Sequence, residues 1–251
     1  MPSPALLVTG NSRQVAEKIR LLGNLRLNEG LSHDCYALSM AKSTTKKGMW
    51  ILGAAFVAFS GAVALGWMYK MDSEMLWISQ EHFFSAALAT ILSFCSLLGT
   101  IQITGVILLV LLVALTLRGQ KVLTRRLLIA FVSTGLLELM LKLHLPNVPP
   151  PPPQEGVPTH YFGTLEQTSV TDIISRNTYS YPSGHVLRGV ILLGTLYFLS
   201  RNRLLRAGTV LVLVGIGVSR IYFDEHGASD VIGGALLGAV ALLWVLDTKK
   251  D

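Results

Sequence analysis

Long apolar runs recur along this chain and constrain its fold more than any other feature of the sequence. They cover residues Met49–Tyr69, Ile101–Leu117, Leu127–Leu143, His185–Leu199, Ala207–Tyr222 and Asp230–Leu246. These lengths approach the ~20 residues that an α-helix needs to cross a bilayer. Of the 251 residues, 51% are hydrophobic and 14% are charged, whereas soluble domains carry about 25% charged residues. The sequence therefore predicts an all-α membrane protein, a bundle of six transmembrane helices.

The remaining sequence divides into an extension and one membrane domain. Residues 81–117 are too long for one span, so we divide them into a half-embedded interfacial helix over His82–Leu98 and the span that follows. Residues 1–47 are polar, with at most one short amphipathic helix around Arg13–Leu27. We expect a cytosolic N-terminal extension over residues 1–47, with disorder as one reading, and the membrane domain over residues 48–251. The basic run after Met40 makes Met1–Ser39 either a translated upstream stretch or an ordinary tail.

Basic residues fall in short clusters that orient the predicted spans. With six spans, all four clusters lie on one side, which the positive-inside rule makes cytoplasmic. We therefore expect a multi-pass protein of the plasma or inner membrane with both termini in the cytoplasm. This topology accounts for the net charge of +6 without a nucleic-acid partner. The clusters are Lys42, Lys46 and Lys47; Arg118, Lys121, Arg125 and Arg126; Arg201, Arg203 and Arg206; and Lys249 and Lys250.

The opposite, outer side receives a loop that is long for a compact bundle, roughly residues 144–182. Its five consecutive prolines, Pro149–Pro153, favour a stiff polyproline II segment. We consider this loop either a lid that shapes access to a site, or a rigid spacer or docking strip for another protein.

A histidine and a carboxylate meet at the outer end of the last span. His226 and Asp230 are four residues apart at a predicted helix start, so they share one face of that helix. The carboxylate can hold one ring nitrogen and leave the other nucleophilic. Buried charges in an apolar sequence are costly, which favours a function for them.

Other polar residues at the same outer ends could bind an anion. Ser183 stands at a predicted helix N-cap with Gly184 behind it, where backbone N–H groups are exposed. Arg220 offers a planar guanidinium fork and Lys142 a mobile point charge. His185 could then protonate a leaving oxygen. These residues predict a pocket for a phosphate group. The two cysteines, Cys35 and Cys95, lack the spacing of a metal site or a disulfide framework.

The order of these residues resembles the type-2 phosphatidic acid phosphatase and haloperoxidase superfamily. Its second motif, Pro-Ser-Gly-His, is complete at Pro182–His185, and its third, Ser-Arg-x5-His-x3-Asp, is complete at Ser219–Asp230. The resemblance covers roughly residues 49–246. It implies a phosphohistidine intermediate on His226, oriented by Asp230.

The resemblance also implies roles for the other site residues. By similarity, His185 protonates the leaving group, and phosphate is bound by Lys142, Ser183, Gly184 and Arg220. The family's membrane phosphatases need neither a metal nor another cofactor.

The first motif departs from the family pattern. The family has six residues between this Lys and an Arg, and at that Arg position, seven after Lys142, this chain has Pro149. Arg188 could replace the lost cation, because it lies one turn from His185 on the same face; His144, Arg176 and His160 are other candidates. Glu138 competes for Arg188, since a buried carboxylate needs a partner. An ion pair of Glu138 with Arg188 or with Lys142 below the site is the alternative reading.

These observations predict a membrane phosphatase that hydrolyses a lipid phosphate or diphosphate at the outer face. Polyprenyl diphosphate, phosphatidylglycerol phosphate and phosphatidic acid remain open as substrates. A lipid phosphotransferase is one alternative. A catalytically weakened lipid-phosphate binder or transporter is another, favoured by Pro149.

Overall fold

A computed structural model of the chain describes residues 46–82, 85–145 and 180–247. These residues form helices joined by short links, with no strand among them. Most of the predicted extension and of the proline-containing outer loop, with His160 and Arg176, lies outside the described residues. The helices are α1 (Lys46–Ala64), α2 (Tyr69–His82), α3 (Ala86–Gly99), α4 (Ile101–Leu117), α5 (Lys121–His144), α6 (Gly184–Leu199), α7 (Arg203–Tyr222) and α8 (Ala228–Leu246).

The first predicted span is shorter than expected and is followed by a separate helix. Helix α1 ends at Ala64 rather than at Tyr69, because the chain turns over residues 65–68 with Gly66 at φ +74°. Glycine adopts this left-handed conformation without the strain that a Cβ causes. Helix α2 then follows from Tyr69 to His82, beyond the predicted span.

Four of these helices, α1, α5, α7 and α8, are long and apolar enough to cross a membrane. Helices α3 and α4 pass the same test together, but they meet at a bend of 56°. Thr100 causes this break, since its extended backbone ends α3 while its hydroxyl accepts the Ile103 N–H at the start of α4. The predicted break between residues 98 and 101 is therefore present, but the helix before it begins at Ala86 rather than at His82, which ends α2. Its half-embedded position in the membrane stays a prediction. The described part of the chain contains four candidate spans, or five with the bent pair.

The shorter helix α6 forms the centre of the bundle and contacts α3, α4, α5, α7 and α8. Leu187 and Ile191 on it are fully buried. Small residues allow the close packing that associates helices in membranes. A Cβ added at Gly238 of α8 would lie 3.0 Å from the Leu187 carbonyl oxygen. The outer helices instead expose aliphatic side chains such as Val106 and Leu109, as lipid contact requires.

Candidate active site

The third motif joins the end of α7 to the start of α8 and holds His226 against Asp230. His226 Nδ1 lies 3.2 Å from Asp230 Oδ2, and the same oxygen accepts the Gly227 N–H at 3.0 Å. Because an ionised carboxylate only accepts hydrogen bonds, this contact places the proton on Nδ1 and leaves Nε2 as the free base. The predicted pairing of these two residues is thus present in the structure.

The second motif begins α6 beside this pair. The Ser183 N–H donates to the Asp230 backbone oxygen at 2.9 Å, so one residue connects the two motifs. Gly234 lets the backbones approach, since a Cβ there would lie 2.4 Å from the Ser183 carbonyl oxygen. Ser183 Oγ is fully buried and has no hydrogen-bond partner among the described residues. A buried hydroxyl without a partner is costly, which makes it a donor suited to an incoming anion.

Two cations converge on Glu138 next to the start of α6. Lys142 Nζ lies 2.9 Å from Glu138 Oε1, and Arg188 Nη1 lies 3.1 Å from Glu138 Oε2. A Cβ added at Gly184 would lie 2.0 Å from Glu138 Oε1 and 2.7 Å from Arg188 Nη1. The absence of a side chain at Gly184 therefore admits the guanidinium to the second motif. Both ion pairs that the sequence suggested for Glu138 are present together.

Arg220 lies in the last turn of α7 and is almost fully buried. Its Nη1 donates to Ser96 Oγ of α3 at 2.6 Å, and its guanidinium also pairs with Glu225. The Arg220 backbone oxygen accepts the N–H groups of Glu225 and His226, each at 3.1 Å. This tight turn keeps the charge of Arg220 close to the His226 ring.

The His185 ring points from the first turn of α6 towards α3. A Cβ added at Gly99 would lie 2.8 Å from His185 Cδ2 and 3.1 Å from Ile216, so the ring packs against the Gly99 backbone. The preceding residue, Gly184, lies against Glu138 and Arg188, whereas the His185 ring itself lies against Gly99 of α3. His144, by contrast, is exposed and bonded to the Met140 oxygen of its own helix.

The surroundings of His226 favour its neutral form. Burial lowers the pKa of His226, and the charges of Arg220 and Lys142 lower it further, whereas the Asp230 hydrogen bond and charge raise it. The net direction is downward. A neutral imidazole held by a carboxylate can attack phosphorus, and the nearby charges of Arg220 and Lys142 can stabilise the negative charge of a transferred phosphoryl group.

The sequence did not reveal three polar partners of the site: Asp72, Ser96 and Ser229. Asp72 of α2 accepts the Ser229 N–H at 2.7 Å and the Ser229 hydroxyl at 2.6 Å. These residues are distant in sequence and belong to no recognisable motif. Asp72 offered one signal, a carboxylate in the first turn of a helix beside an apolar run.

Comparison with known proteins agrees with this arrangement. The family model described as the PAP2 superfamily matches residues 123–251. Phosphatidylglycerophosphatase B of Bacillus subtilis (strain 168) is 33% identical over 84 residues, which span 29% of this chain and only 40% of that relative. The crystal structure of a transmembrane PAP2-type phosphatidylglycerolphosphate phosphatase from Bacillus subtilis matches with a TM-score of 0.58 and 20% identity, covering 78% of this chain and 93% of that one. The fold is therefore shared, and the matched family model covers half of the sequence. The chain is a member of the PAP2 superfamily.

Proposed function

We propose that this protein is an integral membrane phosphatase that hydrolyses a lipid phosphate or diphosphate through a phosphohistidine intermediate. His226 Nε2 attacks the phosphorus and forms a P–N bond, while the P–O bond to the lipid breaks and His185 gives its proton to the leaving oxygen. A water molecule then attacks the phosphohistidine, His185 takes a proton from that water, and inorganic phosphate leaves. Asp230 keeps the His226 ring oriented and stabilises its positive charge during both steps.

The observation that carries this proposal is the hydrogen bond between the Ser183 N–H and the Asp230 backbone oxygen. It joins the anion-binding start of α6 to the residue that holds His226. Lys142, Ser183, Gly184 and Arg220 would bind the phosphate oxygens by charge and by hydrogen bonds. No metal is needed in this scheme, because cations and N–H groups provide the charge stabilisation.

A lipid substrate is supported by the membrane setting and by the relatives. Both similar proteins carry names for phosphatidylglycerol phosphate hydrolysis. Phosphatidylglycerol phosphate is therefore our first candidate, followed by phosphatidic acid and polyprenyl diphosphate. We also propose six spans, reached when the bent pair and the short helix α6 are added to the four long helices. The positive-inside rule then places both termini in the cytoplasm and the site at the outer face.

Phosphate release by purified protein tests the function. Each of the three lipids would be supplied in detergent micelles with a metal chelator, beside His226→Ala and Asp230→Ala. We expect release by the natural protein and loss of it in both variants. If the phosphoryl group of the lipid is transferred to an added alcohol instead of being released as inorganic phosphate, the protein is a phosphotransferase. Lipid binding without either product would identify a binder and contradict the proposed hydrolysis.

We further propose that Arg188 supplies the cation that Pro149 cannot. Its guanidinium lies at Gly184, where a phosphate bound by the second motif would meet it. Losing one hydrogen bond to a charged group costs about 1.5–3 kcal/mol, so Arg188→Ala should lower kcat/KM by roughly 10- to 100-fold. Adding Pro149→Arg to that variant should restore part of the loss. Unchanged turnover of Arg188→Ala would exclude the role.

A further inference from the structure

The start of α8 lacks a capping side chain of its own. Gly227 occupies the N-cap position, where a polar side chain normally accepts an N–H group of the first turn. The carboxylate of Asp72 takes that place from α2, accepting the Ser229 N–H at 2.7 Å and the Ser229 hydroxyl at 2.6 Å. Ser229 is fully buried, so these donors have no access to water.

The identity of Gly227 makes this contact possible. A Cβ added there would lie 2.7 Å from Asp72 Cγ and 2.8 Å from Asp72 Oδ1. Any larger residue at the N-cap would therefore displace the carboxylate. Gly227 has no side chain to cap the helix, and the same absence leaves room for the carboxylate of Asp72.

Two carboxylates consequently hold the segment 227–230 from different sides. Asp72 binds Ser229, while Asp230 Oδ2 accepts the Gly227 N–H and faces His226 Nδ1. Burial raises the pKa of Asp72, and the nearby charge of Asp230 raises it further, whereas the hydrogen bonds from Ser229 lower it. Displacing this segment would move the backbone and the carboxylate that orient the ring of His226.

We propose that Asp72 is a positioning residue for phosphoryl transfer, which ties α2 to the loop that carries His226. This inference rests on the proposed function of His226 as nucleophile. A displacement of about 1 Å in a catalytic group can lower a rate by roughly 100-fold. Asp72 touches no reacting atom, so its removal should affect kcat rather than KM.

Four variants test the proposal in the full-length protein: Asp72→Ala, Asp72→Asn, Ser229→Ala and, as a control on the same helix, Glu74→Ala. Glu74 is exposed and pairs only at the surface with Lys70. Phosphate release from phosphatidylglycerol phosphate would give kcat and KM, and the melting temperature would report folding. We expect kcat to fall by roughly 10- to 100-fold in Asp72→Ala with KM unchanged. Asp72→Asn should recover most of kcat, because its amide can both accept the Ser229 N–H and donate to the hydroxyl.

The outcomes separate the inference from the function on which it rests. Wild-type kcat in folded Asp72→Ala, or a rise in KM alone, would overturn the positioning role. A lower melting temperature with unchanged kcat would assign Asp72 to stability alone and would overturn it as well. If Asp72→Ala does not fold, Ser229→Ala decides: lowered kcat at constant KM supports the proposal, and wild-type kcat contradicts it. Phosphate release that survives in His226→Ala would instead refute the proposed function.

Discussion

Replacing Gly234 by alanine tests whether the close approach of α6 and α8 holds the site together. A Cβ at this position would lie 2.4 Å from the Ser183 carbonyl oxygen, and ordinary contact begins at 3.4 Å. The two backbones must therefore separate by about 1 Å, since neither partner is a flexible side chain. That separation acts directly on the Ser183 N–H bond to Asp230.

The structure permits an estimate of both consequences. Overpacking a tight contact costs about 1–3 kcal/mol, which exceeds the gain of up to ~1 kcal/mol from replacing a helical glycine by alanine. Gly234→Ala should therefore melt at a lower temperature than the natural protein. A 1 Å displacement of catalytic groups should lower kcat by roughly 100-fold.

Gly135→Ala in α5 provides a matched control. A Cβ at Gly135 has nothing within 4 Å, so this variant should keep its activity and melt at an equal or higher temperature. Thermal unfolding and phosphate release would be measured on both purified variants. Equal melting temperatures and equal kcat in the two variants would refute the claim that contact between α6 and α8 sets the site geometry.

Three further variants address individual side chains. On the proposed mechanism, in which neutral His226 is the nucleophile, burial lowers the pKa of His226, so activity should be lost as pH falls through a midpoint below the ordinary value of about 6.5. Asp230→Asn removes a negative charge and should move the midpoint of the residual activity to still lower pH, and a pH–rate profile that moves upward contradicts this. Glu138→Ala removes the carboxylate shared by two partly buried cations and should lower the unfolding free energy by less than the ~3–5 kcal/mol of a fully buried pair. Adding Arg188→Ala should cost less than it does alone, and strict additivity would argue against a shared ion pair. Ser183→Ala removes a hydroxyl without a described partner, so it should leave the melting temperature unchanged and lower kcat/KM by roughly 10-fold or more; a loss of stability with unchanged kinetics would assign the hydroxyl to structure.

Local signals in the sequence were sufficient to predict most helices and the core of the site. The lengths of the apolar runs predicted most helices and the break near Thr100. The pairing of His226 with Asp230 follows from their spacing of four residues on one helix face. The chain turn at Gly66 escaped prediction, because apolar residues continue through it and hide the end of α1.

Contacts between segments that are distant in sequence could not be predicted from such local signals. Asp72 and Ser229 are 157 positions apart, and Arg220 and Ser96 are 124 apart. Each partner is an ordinary polar residue on its own helix, and neither pair has a periodicity or a motif that reveals it. Such pairs exist only once the helices have packed, so they depend on tertiary structure rather than on local preference.

The departure at Pro149 and the presence of Glu138 are explained together if Arg188 serves the phosphate. A cation on a membrane helix costs about 2.5–3.5 kcal/mol on insertion, so Arg188 needs a partner when no substrate is bound. Glu138 provides one oxygen to Arg188 and the other to Lys142, which leaves one net positive charge among the three groups. Because the two cations share a single carboxylate, part of their positive charge is not neutralised. An arriving phosphate can then bind both of them. On this proposal, the cation that the family pattern places in the loop after α5 is replaced here by Arg188 on α6. Glu138 makes this position tolerable, because it pairs with Arg188 inside an apolar bundle.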